Sequence, residues 1–191
     1  QPSKKSNNRS TGKLMAIIAL IPVIIFFVVR RWNPKKLHTM KNSEPEFTTN
    51  LEDRIEAAKL VKSLEGSKKQ SKSSFRPINQ IKIAEGANKY VLISAQESGS
   101  STVKYFVTSK KNASYHRDAA QPFAKSLQEH GYENIKITGG GRILLDTEAK
   151  LISIYGFSYS FGAGDHEMSK SVVQKDEKYL DYVINVSNEG Y

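Results

Sequence analysis

Hydrophobic positions along this chain fall into three regions with different spacing. Residues 14–29 are apolar throughout, and residues 51–64 place apolar side chains at helical spacing. From residue 89 onward, short runs rich in β-branched and aromatic residues alternate with turns that contain glycine or serine. The three patterns predict a membrane-spanning helix, a short amphipathic helix, and a folded domain of strands and helices.

The predicted elements of the folded domain follow from runs of apolar residues and the turn residues between them. Glycine and serine between the first two strands predict a hairpin. Pro122 is awkward inside the first predicted helix, which therefore either starts late or bends. The predicted strands are Lys89–Ala95, Val103–Thr108, Ile135–Thr138, Leu151–Tyr155 and Tyr182–Val186, and the predicted helices are His116–His130 and a segment from Asp165 or His166 to about Lys178.

The apolar run from Leu14 to Val29 carries no charge and is flanked by Lys13 and by Arg30-Arg31-Trp32. As a helix it would reach about 24 Å, which is short of the roughly 30 Å hydrocarbon core of a bilayer. Snorkelling of the basic flanks can make up the difference, so we expect a transmembrane helix over residues 14–32. A cleaved signal peptide is the competing interpretation, but no small-residue cleavage site follows Val29. A buried core helix is disfavoured by the charged flanks.

Residues 33–77 are expected to be a linker that contains one helix, over residues 51–65. Asn50 is a plausible N-cap for that helix and Gly66 a plausible stop. The helix either lies on its own domain or docks onto a partner protein. Residues 67–76 are rich in Lys and Ser and predict a solvated tether.

The positive charge of the chain lies upstream of the domain. Residues 1–77 contain 16 Lys and Arg against 6 Asp and Glu, whereas residues 78–191 contain 13 of each. A nucleic-acid-binding domain would carry its basic residues on the folded unit, so nucleic-acid binding is disfavoured.

The chain has no cysteine, which excludes disulfides and thiolate nucleophiles, and its four histidines show no paired metal-ligand spacing. We therefore expect no metal and no cofactor.

A set of motifs in the last half of the chain joins a histidine, a glycine run and an arginine. An imidazole transfers protons near neutral pH, an arginine matches phosphate oxygens, and consecutive glycines let backbone N–H groups approach an anion. The combination suggests phosphate chemistry without a metal. The motifs are Lys89-Tyr90-Val91-Leu92-Ile93, Tyr115-His116, Gly139-Gly140-Gly141-Arg142-Ile143, Ile154-Tyr155-Gly156-Phe157-Ser158, Phe161-Gly162, His166 and Gly190-Tyr191.

In this order the motifs resemble the phosphohistidine phosphatase (Janus/Ocnus) family, over residues of about 78–191. The resemblance implies a single small α/β (α+β) domain, with a mixed sheet flanked by helices, that removes phosphoryl groups from histidine side chains of proteins. It implies that His116 is the catalytic general base or nucleophile and that Arg142 binds the phosphoryl group. It further implies substrate or phosphate binding by Lys89, Tyr115, Arg117, Ser158, Ser160 and Gly162, and a supporting role for His166 behind them.

One position departs from the family pattern. The family often has an arginine eight residues before the catalytic histidine, where this chain has Thr108, with Lys110 and Lys111 nearby. This difference bears on substrate preference more than on the core chemistry.

Two functions from different classes are consistent with the sequence. The first is a membrane-anchored, metal-independent protein phosphohistidine phosphatase, whose partners are a phosphohistidine-containing protein and membrane lipid. The second is a non-catalytic accessory subunit of an organellar membrane complex that uses the same fold as a structural or phosphate-binding module. Retention of Tyr115, His116, Arg142 and Ser158 favours catalysis, or at least phosphate binding.

The expected location is an organelle membrane. The first 13 residues form a basic tail, and the chain has no acidic residue before Glu44. This composition resembles what remains after an organelle presequence is removed, although a truncated chain would look the same. A glycan on the sequon Asn112-Ala113-Ser114 would crowd His116, which favours a compartment without glycosylation. We expect a single-pass protein of the mitochondrial inner membrane, ahead of a plastid membrane.

Overall fold

A six-stranded mixed sheet with helices packed against it forms the folded domain. The structure, a computed structural model, describes residues 51–65 and 75–188. Two short edge strands complete a sheet whose central strands are long. The elements are α1 Leu51–Glu65, β1 Ile81–Lys82, β2 Gly86–Glu97, β3 Val103–Ser109, α2 His116–Glu129, β4 Tyr132–Asp146, β5 Leu151–Tyr155, α3 His166–Val173, a 3-10 turn Glu177–Tyr179 and β6 Val183–Val186.

The strand order across the sheet is β1-β3-β2-β4-β5-β6. The four central strands pair antiparallel, and the two edge strands pair parallel with their neighbours. This topology places β2 and β4 side by side at the centre, with β5 on the other side of β4. The candidate site is built where these three strands meet.

Alternating residues of β2 fill two hydrophobic clusters. Tyr90 and Leu92 belong to the cluster that includes Val173 of α3, whereas Val91 and Ile93 belong to the cluster of α2. Alternation of this kind is the expected period of a strand whose two faces are both covered. The second cluster also includes Phe106, Ala120, Phe123, Ala124, Leu127, Tyr132, Ile135 and Leu64 of α1.

The predicted single domain with a mixed sheet and flanking helices is confirmed, with three corrections to its elements. The strand predicted over Ile135–Thr138 runs on through the glycines as β4, so the glycine run does not end it. The second helix ends at Val173, not near Lys178, and a short 3-10 turn follows it. The helix with Pro122 inside it begins at His116, so it does not start late.

No helix within residues 51–65 and 75–188 is long and apolar enough to cross a membrane. The span predicted for residues 14–32 lies outside the described residues, as do residues 67–74 of the tether predicted for residues 67–76. The helix α1 packs on its own domain, where Ala57 and Leu64 are buried.

Candidate active site

His116 is the first residue of α2, and its imidazole is buried, with 5% of the residue exposed. The helix start is fixed by Asp118, whose carboxylate accepts a hydrogen bond of 2.9 Å from the backbone N–H of Tyr115. The imidazole Nε2 lies 3.0 Å from the carbonyl oxygen of Gly141 on β4. Because a carbonyl oxygen only accepts, Nε2 carries the hydrogen. The other ring nitrogen, Nδ1, is then the one that is unprotonated in the neutral ring.

The environment of His116 favours the neutral imidazole. Burial, together with the positive charges of Lys89 and Arg142, lowers the pKa of His116 from its ordinary value of 6.5 to about 4. The hydrogen bond to Gly141 opposes these effects but does not outweigh them. His116 is therefore neutral at physiological pH. An unprotonated Nδ1 is what a general base or a nucleophile requires.

The two cations that act on His116 come from adjacent strands. Lys89 of β2 and Arg142 of β4 are cross-strand partners, and Arg142 also pairs with Tyr155 of β5. Arg142 is buried and Lys89 half-buried, with its ammonium 3.5 Å from the carbonyl oxygen of Ala113. Two fixed cations beside a neutral imidazole create a positive local potential, which is suited to an anion.

The glycine run explains how His116 approaches β4 so closely. A Cβ at Gly140 would lie 2.5 Å from the carbonyl oxygen of Tyr90 and 3.2 Å from Cδ2 of His116. A Cβ at Gly141 would lie 2.5 Å from the carbonyl oxygen of Tyr155. Distances this short exclude side chains at both positions, so glycine lets the imidazole reach the backbone of β4.

The loop after β5 lies against the same glycine run. The N–H of Gly140 donates to the carbonyl of Gly162 over 3.1 Å, and the N–H of Gly164 donates to the carbonyl of Gly140 over 3.0 Å. Ser158 and Gly162 exchange two backbone hydrogen bonds of 3.1 and 2.8 Å. The backbone N–H groups of Ser158 and Gly162 are therefore already paired within the protein. Their predicted role in binding phosphate remains a prediction.

Tyr115, Arg117 and Ser160, also predicted to bind substrate, engage one another or α1. The guanidinium of Arg117 lies over the ring of Tyr115, 5.0 Å from its centroid. Its Nε is 3.4 Å from a carboxylate oxygen of Asp53 in α1. The hydroxyl of Ser160 donates to the other carboxylate oxygen of Asp53 over 2.6 Å. The structure therefore brings Arg117 and Ser160 together through Asp53.

His166 takes part in a buried network behind the glycine run. Its Nε2 donates to the carbonyl of Gly156 over 2.8 Å, and its Nδ1 lies 2.6 Å from the hydroxyl of Tyr90. Burial raises the pKa of Tyr90 to about 12, so the phenol stays protonated and donates. This network ties β2 to the end of β5, which fits a supporting role for His166. No cluster of three or more candidate metal ligands occurs in the described ranges.

Two residues of this region carry no functional signal in the sequence. Tyr90 is predicted to lie in a strand, and nothing in its spacing indicates a hydrogen bond to His166. Asp53 lies in the first turn of the predicted linker helix, where an acidic residue is common. A carboxylate at the start of a helix does not by itself indicate a contact with a loop far away in the sequence. No other feature of the sequence indicates the contact between Asp53 and Ser160.

The chain is similar in sequence to known proteins. The sequence pattern of the Janus/Ocnus family (Ocnus) matches residues 75–183. The sex-regulated protein janus-A of Drosophila melanogaster is 31% identical over 133 residues, which cover 69% of this chain and 96% of that protein. The sex-regulated protein janus-B of Drosophila erecta is 31% identical over 111 residues, covering 58% of this chain and 79% of that protein. The chain therefore belongs to the Janus/Ocnus family.

Proposed function

We propose that this chain is a metal-independent protein phosphohistidine phosphatase, with His116 as its catalytic residue. The observation that carries the proposal is the neutral, buried imidazole of His116 beside the cations of Lys89 and Arg142. The cations attract and orient the phosphoryl group, and the imidazole supplies an unprotonated nitrogen. The preference for phosphohistidine rests on the family resemblance of the motifs.

Two forms of the reaction are compatible with the unprotonated Nδ1. As a general base, His116 takes a proton from a water molecule that attacks phosphorus, and the P–N bond to the substrate imidazole breaks. As a nucleophile, His116 attacks phosphorus itself, and water later hydrolyses the phosphoimidazole formed on the enzyme. In the first form His116 passes the proton that it took from water to the departing imidazole. In the second form the P–N bond of the substrate breaks as the bond to His116 forms, and the departing imidazole takes up a proton from solvent. The net reaction consumes one water molecule and yields histidine and inorganic phosphate.

A pKa of about 4 describes His116 without substrate and would make it a weak base. Substrate binding changes this, because a phosphoryl dianion offsets the charges of Lys89 and Arg142. A nearby negative charge raises the pKa of an imidazole, so the base strengthens when its substrate arrives.

The test of this proposal is hydrolysis by the full chain, in detergent and with a chelator present. We expect release of phosphate from a phosphohistidine protein, and a much slower reaction with a phosphoserine peptide, because an alkoxide leaves less readily than an imidazole. The control is the same assay with added Mg²⁺, which should not change the rate. Strict dependence on added metal would contradict the proposal.

We also propose that residues 14–32 anchor the chain in an organelle membrane, with the mitochondrial inner membrane favoured. The support is the uncharged run Leu14–Val29 with basic residues at both ends. The full chain should stay with membranes after carbonate extraction, whereas a form lacking the first 32 residues should be soluble. High salt alone is not decisive, since it also releases proteins bound electrostatically to lipid. Complete release of the full chain by carbonate would refute the anchor.

A further inference from the structure

The first turn of α1 places a buried carboxylate on residues of the candidate site. Asp53 is only 6% exposed, although it is charged and lies near the start of a helix. One of its oxygens accepts the hydroxyl hydrogen of Ser160 over 2.6 Å, and the other lies 3.4 Å from Nε of Arg117. A hydroxyl and a guanidinium are also groups that bind the oxygens of a phosphoryl group. Asp53 therefore uses the same kind of ligands as the proposed substrate.

The rest of α1 is attached to the domain by a small apolar contact. Ala57 and Leu64 are buried and Leu60 packs against the same cluster as Leu64, whereas Leu51 and Ile55 are exposed. Glu56 adds a weaker interaction with Arg117, at 3.9 Å. Polar and ionic contacts of Asp53 therefore dominate the attachment of the first turn, while Leu64 holds the far end of the helix. An arrangement of this kind allows the first turn to detach without loss of the whole helix.

The groups that Asp53 engages lie on the two segments that carry the candidate site. Arg117 follows His116 directly in α2, and Ser160 lies in the loop that is hydrogen-bonded to the glycine run through Gly162. A carboxylate and a phosphoryl dianion repel each other, so the same hydroxyl and guanidinium do not serve both at low cost. The first turn of α1, which contains Asp53, lies outside residues 75–183, the part of the chain that matches the family pattern.

We propose that Asp53 is an internal competitor of the substrate, an inference that rests on the proposed function. In the resting chain its carboxylate occupies Ser160 and Arg117, and binding of a phosphoryl group displaces the first turn of α1. The segment upstream of the domain thereby lowers the affinity of the site for phosphate. Any partner that draws α1 away from the domain would raise that affinity.

The first test compares two variants that remove one negative charge from the same helical turn. Asp53→Asn keeps the shape of the side chain but removes its charge and its attraction for Arg117. Glu52→Gln removes one negative charge at an exposed neighbouring position. In the full chain we expect Asp53→Asn to bind inorganic phosphate about 3- to 10-fold more tightly, since loss of a charged hydrogen bond is typically worth this much or more. Glu52→Gln should change the affinity less than 2-fold. Calorimetry gives the affinities, and thermal melting checks the fold.

The second test follows α1 directly in the unmodified full chain by hydrogen exchange. Inorganic phosphate should speed amide exchange in the first turns of α1, and sodium chloride at equal ionic strength should not. Slower exchange in α1 on adding phosphate would overturn the inference, because Asp53 would then help to bind the anion.

The outcomes separate the two proposals. Equal phosphate affinity for the wild type, Asp53→Asn and Glu52→Gln would refute the competition by Asp53 and leave the proposed function intact. Weaker binding by Asp53→Asn would also refute it. Absence of phosphate binding in the wild type and in both variants would refute the proposed function together with the inference that rests on it.

Discussion

Replacing His116 by Gln is expected to lower the rate of phosphohistidine hydrolysis by about 1,000-fold, which is within the range for loss of a general acid–base group. The glutamine amide N–H can still donate to the carbonyl of Gly141, so the buried contact that holds the side chain is kept. What is lost is the unprotonated Nδ1, which takes the proton or attacks phosphorus. Initial rates of phosphate release, measured with a chelator present, give the size of the effect.

The matched control is His130→Gln, at the other end of α2. His130 is hydrogen-bonded to the carbonyl of Ser126 and lies at the C-terminal end of the helix. This variant should retain the wild-type rate within 2-fold. If His116→Gln were as active as His130→Gln, His116 would not be the catalytic residue.

Replacing Arg142 by Lys is expected to weaken phosphate binding by about 10- to 100-fold, the range for loss of a hydrogen bond to a charged group. Lysine keeps the positive charge but loses the planar, two-pronged geometry that matches phosphate oxygens. The fold should survive, because β4 pairs with both β2 and β5 through its backbone at this position. Phosphate or vanadate affinity and thermal stability are to be measured on the same preparation.

An exposed arginine provides the control for this substitution. Arg76 lies before β1, and Arg76→Lys changes the same functional group at the surface. It should leave phosphate affinity unchanged. Unchanged affinity in Arg142→Lys as well would mean that Arg142 does not bind the phosphoryl group.

Much of the domain could be predicted because its elements have clear periods. The alternation in β2 and β3 is that of strands with two covered faces, and the spacing of Phe123 and Leu127 predicts the buried face of α2. His116 is the first residue of the helical run in the sequence, although Pro122 also allows a later start for the helix. These features depend on residues close together in the chain.

The course of β4 could not be predicted in the same way. Glycine usually interrupts a strand, so the run Gly139-Gly140-Gly141 was interpreted as its end. In the structure the glycines lie inside the strand, because the carbonyls of Tyr90 and Tyr155 leave no room for a Cβ beside them. This reason depends on packing between three strands, and no local pattern in the sequence reveals it.

The contact between α1 and the site is the clearest case of tertiary structure that the sequence did not reveal. Asp53 and Ser160 are 107 residues apart, and each has an ordinary local explanation, as a helix-start acid and as a loop hydroxyl. Only the packing of α1 on its own domain brings them together. Substrate binding by Arg117 is implied by the family resemblance and stays a prediction. Its ion pair with Asp53 is what the structure adds.

Metal-independent hydrolysis of phosphohistidine through His116 is tested most directly by phosphorus NMR on a phosphohistidine protein, with a chelator present. Three samples are compared: buffer alone, the full wild-type chain and the His116→Gln chain. We expect the wild-type chain to convert the phosphoramidate signal to inorganic phosphate much faster than buffer does, and the variant to stay close to the buffer rate. Equal rates in all three samples would show that the chain does not hydrolyse phosphohistidine, and would favour a non-catalytic role for the Janus/Ocnus fold in this chain.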